Sequence, residues 1–347
     1  MARKAVTLAD VAAAAGVSVS LVSKVLNNTG RASEETRQRI LDAAERLDFR
    51  PNALAKSFAQ GRSELVGIII EDASEIFSSM VLRGAERRLA LGGLATLVCD
   101  AAESDQRRSQ FVRALDARHV DAVLVIGSGP SGPYPSISDR LSCPVAYAFC
   151  ESDNPADASF LPDDYGAGRL AAEHLLSLGR TKIAHIAEGS ERGAELRTRG
   201  FVETLAAAGQ PVEPLYGDWS KAWGLQAVNQ LIEAGTEFDA IFCANDFIAY
   251  GAYVGLRAHG IRVPEEVALV GHDHFSMDPP QRRTGFLTTI DPNLPALGDA
   301  AAQYLISPGT AGDERAIAPK LFVGRTTVGD PAGVDLTTLL EFIDQLL

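Results

Sequence analysis

Three groups of side chains in this sequence have types and spacings that could do chemistry. The run His272, Asp273, His274 sets two imidazoles around a carboxylate, the beginning of a metal site of the kind that activates water. No third ligand lies close by in sequence, so no metal is expected there. The segment "GSGPSG" at 127–132 satisfies G-x-G-x-x-G after an apolar run, the outline of a dinucleotide-binding turn. Pro130, Pro133 and Pro135 prevent the helix whose N-terminus must receive the pyrophosphate, and the segment reads as an ordinary surface loop. The third group is Val19, Ser20, Ser23, Lys24 and Asn27, short side chains and one cation that a helix gathers on one face. Such a face can enter a groove roughly 12 Å wide and meet donors, acceptors and methyl groups there, which bulky ion pairs cannot.

The elements that hold this third face are legible around it. Between Asp10 and Lys24 there is no charged side chain. Thr7 and Asp10 have the spacing of a capping box; Leu8, Val11, Ala12 and Ala15 repeat at helical spacing, and Gly16 stops the helix. Ser18 caps a second helix whose apolar stripe is Val22, Val25 and Leu26. Two short helices around a glycine-containing turn make a helix-turn-helix unit. A third helix starts at Ser33, carries Glu34 and Glu35 in its first turn, and is expected to bury Ile40, Ala44 and Leu47. In "RPNALAKSFAQGRS" a short helix over 53–59 reads as a hinge.

Charge divides the chain at the same place. Residues 1–62 hold ten Lys/Arg against six Asp/Glu, whereas residues 63–347 hold 22 against 39, within an overall net charge of -13. A basic head on an acidic body directs the head toward a polyanion. No uninterrupted apolar run approaches the ~20 residues of a spanning helix. The N-terminus lacks the basic-then-apolar run of an export signal, so a cytoplasmic location is expected. Cys99, Cys143, Cys150 and Cys243 are scattered, with no C-x-x-C pair, and read as reduced, buried small hydrophobes.

From Leu65 onward apolar strand-like runs alternate with helical stretches. "LVGIII", "LATLVC", "DAVLVI" and "PVAYAF" form one series; "KIAHIA", "LYGD", "AIFCA" and "VALVG" form a second. Helices are expected near 76–91, 107–118, 163–178, 194–208, 221–234 and 247–259. Two such series predict an α/β body of two doubly wound parallel-sheet subdomains facing a cleft. The expected division is a helix-turn-helix domain over 1–50, hinge and linker over 51–63, an effector-binding and dimerisation body of two interleaved subdomains over 64–332, and a C-terminal amphipathic helix over 333–347.

"TLADVAAAAGVSVSLVSKVLNN", "ASEETRQRI", "RPNALAKSF", "LRTRGF", "GDWS", "CANDFIAYGA", "VPEEVALVGHDH" and "LTTI" together resemble the LacI/GalR (lactose repressor) family of bacterial transcription regulators, over essentially the whole chain. The resemblance implies a periplasmic-binding-protein type of body, and DNA contacts from Thr7, Ser18, Val19, Ser20, Ser23, Lys24 and Asn27. It also implies contacts from Asn52, Ala55 and Phe58 in the hinge, with Phe58 as a minor-groove wedge. It implies a sugar-like effector held by Ser74, Phe77, Phe149, Arg197, Trp219, Asn245, Asp273 and Asp291. Trp219 would stack on an apolar sugar face while Arg197, Asn245 and Asp273 bond its hydroxyls. The chain departs from the family's pattern at Phe149, at Asp291–Pro292, at Glu75–Ile76 and at His274.

The implied activity is a non-enzymatic, ligand-controlled regulator, a repressor on a palindromic operator, without cofactor or membrane partner. A homodimer is implied, and the stripe at the C-terminus could raise it to a tetramer. Rival readings are a small-molecule binding protein and a nucleotide-dependent enzyme on the same body. Salt-sensitive operator binding without turnover would separate them. Both signs of effector action occur in the resembling family, so the sign is left open.

Overall fold

A computed structural model describes residues 6–26, 29, 31–49, 62–129, 132–189, 192–275, 285–307 and 315–329. Asn27, Asn52, Ala55, Phe58, the hinge helix and the C-terminal helix over 333–347 lie outside the described residues. The chain divides into two compact units, Met1–Glu64 and Leu65–Leu347.

In the first unit, α1 (Leu8–Ala15), α2 (Val19–Leu26) and α3 (Glu34–Arg46) close one small core. Thr7 and Asp10 form the reciprocal box: the hydroxyl accepts from the Asp10 amide at 3.3 Å and the carboxylate accepts from the Thr7 amide at 2.9 Å. Gly16, at φ 67°, ends α1 in the left-handed region where a side chain would be strained. Ser18 Oγ accepts from the Leu21 amide at 3.2 Å, tying down the start of α2. The turn bends the α1–α2 pair by 104°. Among the described residues no single helix is long and apolar enough to cross a membrane. Val11, Ala12, Ala15, Val22, Val25, Ile40, Ala43 and Ala44 are buried between the helices. Leu47, expected inside, is only half-buried because it is the C-cap of α3, and Ala43 takes the inward position.

The second unit begins with β1 (Leu65–Ile70), α4 (Ile76–Leu91), β2 (Ala95–Asp100), α5 (Asp105–Asp116), β3 (Ala122–Ile126), β4 (Pro133–Tyr134), β5 (Val145–Ala148), β6 (Glu151–Ser152) and β7 (Ala158–Pro162). It continues with α6 (Asp164–Ser177), β8 (Ile183–Glu188), α7 (Arg192–Ala207), β9 (Leu215–Gly217), α8 (Lys221–Glu233), β10 (Ala240–Cys243), α9 (Asp246–Ala258), β11 (Ala268–His272) and β12 (Thr288–Asp291). Last come α10 (Leu294–Ile306), β13 (Ala316–Ile317), β14 (Lys320–Phe322) and α11 (Arg325–Val328). Helix α5 starts two residues before its expected position because Ser104 caps it.

One sheet has the order β13-β7-β5-β3-β1-β2, all parallel. The other has the order β14-β12-β11-β10-β8-β9, with β14 alone antiparallel. Central strands such as β3 and β11 are buried along their whole length, as helices on both faces require. The chain crosses between sheets three times: at Pro162–Asp164, at Asp291–Leu294 and between β13 and β14. The crossings are tied together, with the Asp163 amide bonded to the Ile317 carbonyl at 3.0 Å and Lys320 Nζ to Asn293 Oδ1 at 3.3 Å.

Reciprocal glycines lock the helix pairs that flank the sheets. A Cβ on Gly84 of α4 would lie 1.9 Å from the Pro295 carbonyl oxygen, and one on Gly298 of α10 would lie 1.9 Å from that of Val81. Gly168 and Gly200 do the same between α6 and α7, and Gly224 and Gly251 between α8 and α9. At such distances backbone meets backbone, and no side chain fits.

Candidate functional site

The reading face of the head is set by capping and core packing. Val22 and Val25 point into the core, which turns Val19, Ser20 and Lys24 outward. Val19 is 45% exposed. Thr7 and Ser18 are also exposed, each already serving a helix start, and Ser23 is half-buried. Asn27 lies outside the described residues.

In the body, a cavity of about 300 Å³ lies where the two sheets' strand ends face each other. Of the residues proposed from sequence, Phe77, Phe149, Arg197, Trp219 and Asp273 line it. Ser74, Asn245 and Asp291 are not in its lining. Ser74 is exposed and bonded to Asp72, Asn245 is buried as the N-cap of α9, and the Asp291 carboxylate accepts the Asn293 amide at 2.6 Å.

The walls follow from the fold. In parallel sheets the residues just past the carboxyl ends of strands face the crevice. Phe149 follows β5 at φ 59° and Asp273 follows β11 at φ 101°, so two cleft residues sit in the left-handed region where non-glycine backbone is strained. The aromatic walls approach across the cleft: Phe77 and Trp219 meet edge to face with centroids 6.4 Å apart. Nearby, Arg192 at the start of α7 pairs with Glu151 of β6 at 2.5 Å, also spanning the two halves.

The polar groups are arranged in two buried pairs. Arg197 Nη1 donates to Asp164 Oδ1 at 2.5 Å, with both side chains more than nine-tenths buried. This pair exists because the Gly168–Gly200 crossing draws α6 and α7 together one turn away. His272 Nδ1 lies 2.7 Å from Asp273 Oδ1. Arg197 Nε, His272 Nε2 and Asp273 Oδ2 are buried with no hydrogen-bond partner among the described residues. Beneath them Asp246 accepts from the Phe275 amide and the Thr289 hydroxyl, each at 2.7 Å. Burial first, then the charge of Asp273, holds the Asp246 carboxyl well above the usual carboxylate range.

Sequence reasoning missed Glu75, Asp164, Gly193, His272 and Leu294 as lining residues. Glu75 caps α4, its Oε2 accepting from the Phe77 and Ser78 amides at 2.7 and 3.0 Å, which brings a carboxylate to the cavity wall. Ser128 and Gly129, read as part of an ordinary surface loop, also line the cavity. Their position just past β3 was the available signal. His272 and His274 do not converge: the first bonds its neighbour and the second stacks on Phe322 at 3.9 Å. Among the described residues no group of three His, Cys, Asp or Glu side chains could hold a metal ion.

A helix-turn-helix head and a two-sheet body with a lined crevice, in one chain, define the class of protein. Residues 63–326 match the periplasmic binding proteins and sugar binding domain of LacI family, and residues 7–52 match the bacterial regulatory proteins of the lacI family. The transcriptional regulator GalR of Escherichia coli (strain K12) is 33% identical over 273 residues, 77% of this chain and 79% of the relative. The transcriptional regulator DegA of Bacillus subtilis (strain 168) is 30% identical over 279 residues, 77% and 81% of the two chains. Among solved structures, the lac repressor dimer bound to operator and the anti-inducer ONPF superposes with a TM-score of 0.72 at 27% identity, over 93% of this chain and 99% of that one. The chain belongs to the LacI family of bacterial regulatory proteins and is a DNA-binding transcription regulator.

Proposed function

We propose that this regulator is a cytoplasmic repressor that binds a palindromic operator as a dimer, without catalytic activity of its own, under the control of an uncharged saccharide in the cleft. On DNA, α2 lies in the major groove with Val19, Ser20 and Lys24 toward base edges. The observation that carries the effector's class is the pairing in the cavity. Arg197 is already committed to Asp164, and Glu75 and Asp273 add two further carboxylates, so an anionic ligand meets repulsion rather than a free cation. Meanwhile Arg197, His272 and Asp273 bring donor and acceptor side chains to a lining with three aromatic walls. Hydroxyl groups supply both donor and acceptor, and a sugar's C–H face lies well on an indole.

The names of the relatives, transcription regulators throughout, support binding rather than turnover. A thermal-shift screen tests the effector class, because a ligand that binds the folded state raises its melting temperature. Neutral sugars are expected to raise it and their phosphorylated or uronic forms to leave it unchanged. Stabilisation by the anionic forms alone would contradict the reading.

A further inference from the structure

The second sheet ends on β14, an antiparallel edge strand far from the head in sequence. An edge strand carries a row of N–H and C=O groups that folds cover with a helix or loop to keep other chains away. This edge is also apolar. Phe322 closes β14 at 41% exposed, Val323 follows at 51%, and Val328 at the end of α11 is 59% exposed. The turn of α11 keeps the last two near each other, because the Thr327 amide donates to the Gly324 carbonyl at 3.3 Å. Leu178, 36% exposed, joins them from α6: it caps that helix one turn after His174, whose Nε2 lies 3.1 Å from the Thr327 hydroxyl. Singly exposed apolar side chains are ordinary, but these four border one edge and form a patch.

The sequence that follows fits the patch. Residues 333–347 place Leu336, Leu339, Leu340, Ile343, Leu346 and Leu347 at helical spacing, a stripe that a helix stretches over about 22 Å. A helix this short is marginal in water unless its stripe is covered. Between Gly329 and that segment stand Asp330, Pro331 and Ala332, which reach about 10 Å at most. So short a tether holds the segment near its own patch at an effective concentration in the millimolar range, above that of any second copy at working dilution. Charge favours the same pairing. Residues 320–329 contain Lys320 and Arg325 and no acidic side chain, whereas residues 330–347 contain Asp330, Asp335, Glu341 and Asp344 and no basic one.

We propose that residues 333–347 form an amphipathic helix that docks on the β14 edge of its own subunit, its leucine stripe over Val323, Val328 and Leu178. The docked helix shields the edge of the second sheet from other chains.

Two double variants of the full chain test this. Leu339→Asp with Ile343→Asp should spoil the stripe, and hydrogen–deuterium exchange over 320–328 should then quicken about tenfold or more. The number of chains per particle, from light scattering at micromolar concentration, should stay that of the wild type. Val323→Asp with Val328→Asp should spoil the patch instead, and limited proteolysis should then cut within 333–347 much faster than in the wild type. All four side chains lie on exposed or tail positions, so both variants should fold, which the melting of the body checks. A fall in the number of chains in the stripe variant would assign the helix to contacts between copies and overturn docking in cis. Unchanged exchange over 320–328, or a tail cut equally fast in wild type and patch variant, would mean that the segment does not cover this edge.

Discussion

Lys24 supplies the cation on a face of otherwise uncharged side chains, and its role separates base reading from simple attraction. If it donates to a base edge, Lys24→Ala should weaken the specific operator by about five- to a hundredfold and leave non-specific DNA almost unaffected. Competition binding on the two DNAs at one salt concentration checks this, and equal losses would make Lys24 a phosphate contact. Arg197 calls for a different design. Because it neutralises Asp164 in a buried pair, Arg197→Ala should cost about 3–5 kcal/mol of stability by stranding the carboxylate. Arg197→Met combined with Asp164→Leu should recover most of that in urea unfolding and still lose the effector response. The pair is the physical reason that a single alanine substitution here mixes folding with signalling.

His185 gives a pH dependence whose sign is fixed. Its Nδ1 lies 3.0 Å from the Phe242 carbonyl and its Nε2 3.0 Å from the Thr198 hydroxyl, with the ring against Phe201 and Phe242. Burial lowers its pKa to about 4, so the folded state resists the proton that the unfolded chain takes up near 6.5. Between those values the unfolded state binds more protons, and stability falls as pH drops, by about 3 kcal/mol for this group. His185→Gln should flatten the fall between pH 6.5 and 4 in denaturant titrations. Some slope should remain, because burial also lowers the pKa of His174.

At the scale of elements, the caps and the alternation of strand and helix were legible because each rests on neighbours in sequence: Thr7 with Asp10, Ser33 with Thr36, apolar runs bounded by glycine. Half of the cleft was legible too. Phe149, Trp219 and Asp273 were reached through the family resemblance, and they stand just past strand ends in the cavity lining. Asp164 and Glu75 were not, because a carboxylate near a helix start looks like an ordinary cap until α7 is seen to cross α6. The glycine interlocks were equally hidden: Gly168 and Gly200 are 32 positions apart in sequence, and their contact is backbone to backbone. Their energetic weight is testable at the α4–α10 crossing. Gly298→Ala would drive a methyl group to 1.9 Å from the Val81 carbonyl oxygen and should cost about 3 kcal/mol in equilibrium unfolding. A neutral effect would mean that the two helices can part without penalty.

For the whole molecule, ligand control requires that occupancy of the cleft change what the head does on DNA. Phe77 against Trp219 and Glu151 against Arg192 bridge the two halves of the body, so a ligand between the aromatic walls bears directly on how the halves close. Coupling of this kind is a free energy shared by two sites, so it is read from the affinity of one site at saturation of the other. The direct measurement is the affinity for an operator selected from random DNA, with and without a saturating concentration of the saccharide that most raises the melting temperature. Wild type should change its operator affinity at least about fivefold in either direction, and Trp219→Ala should show no change at the same concentration. Identical affinities in the wild type with and without saturating saccharide would contradict control of the DNA-binding head by the cleft.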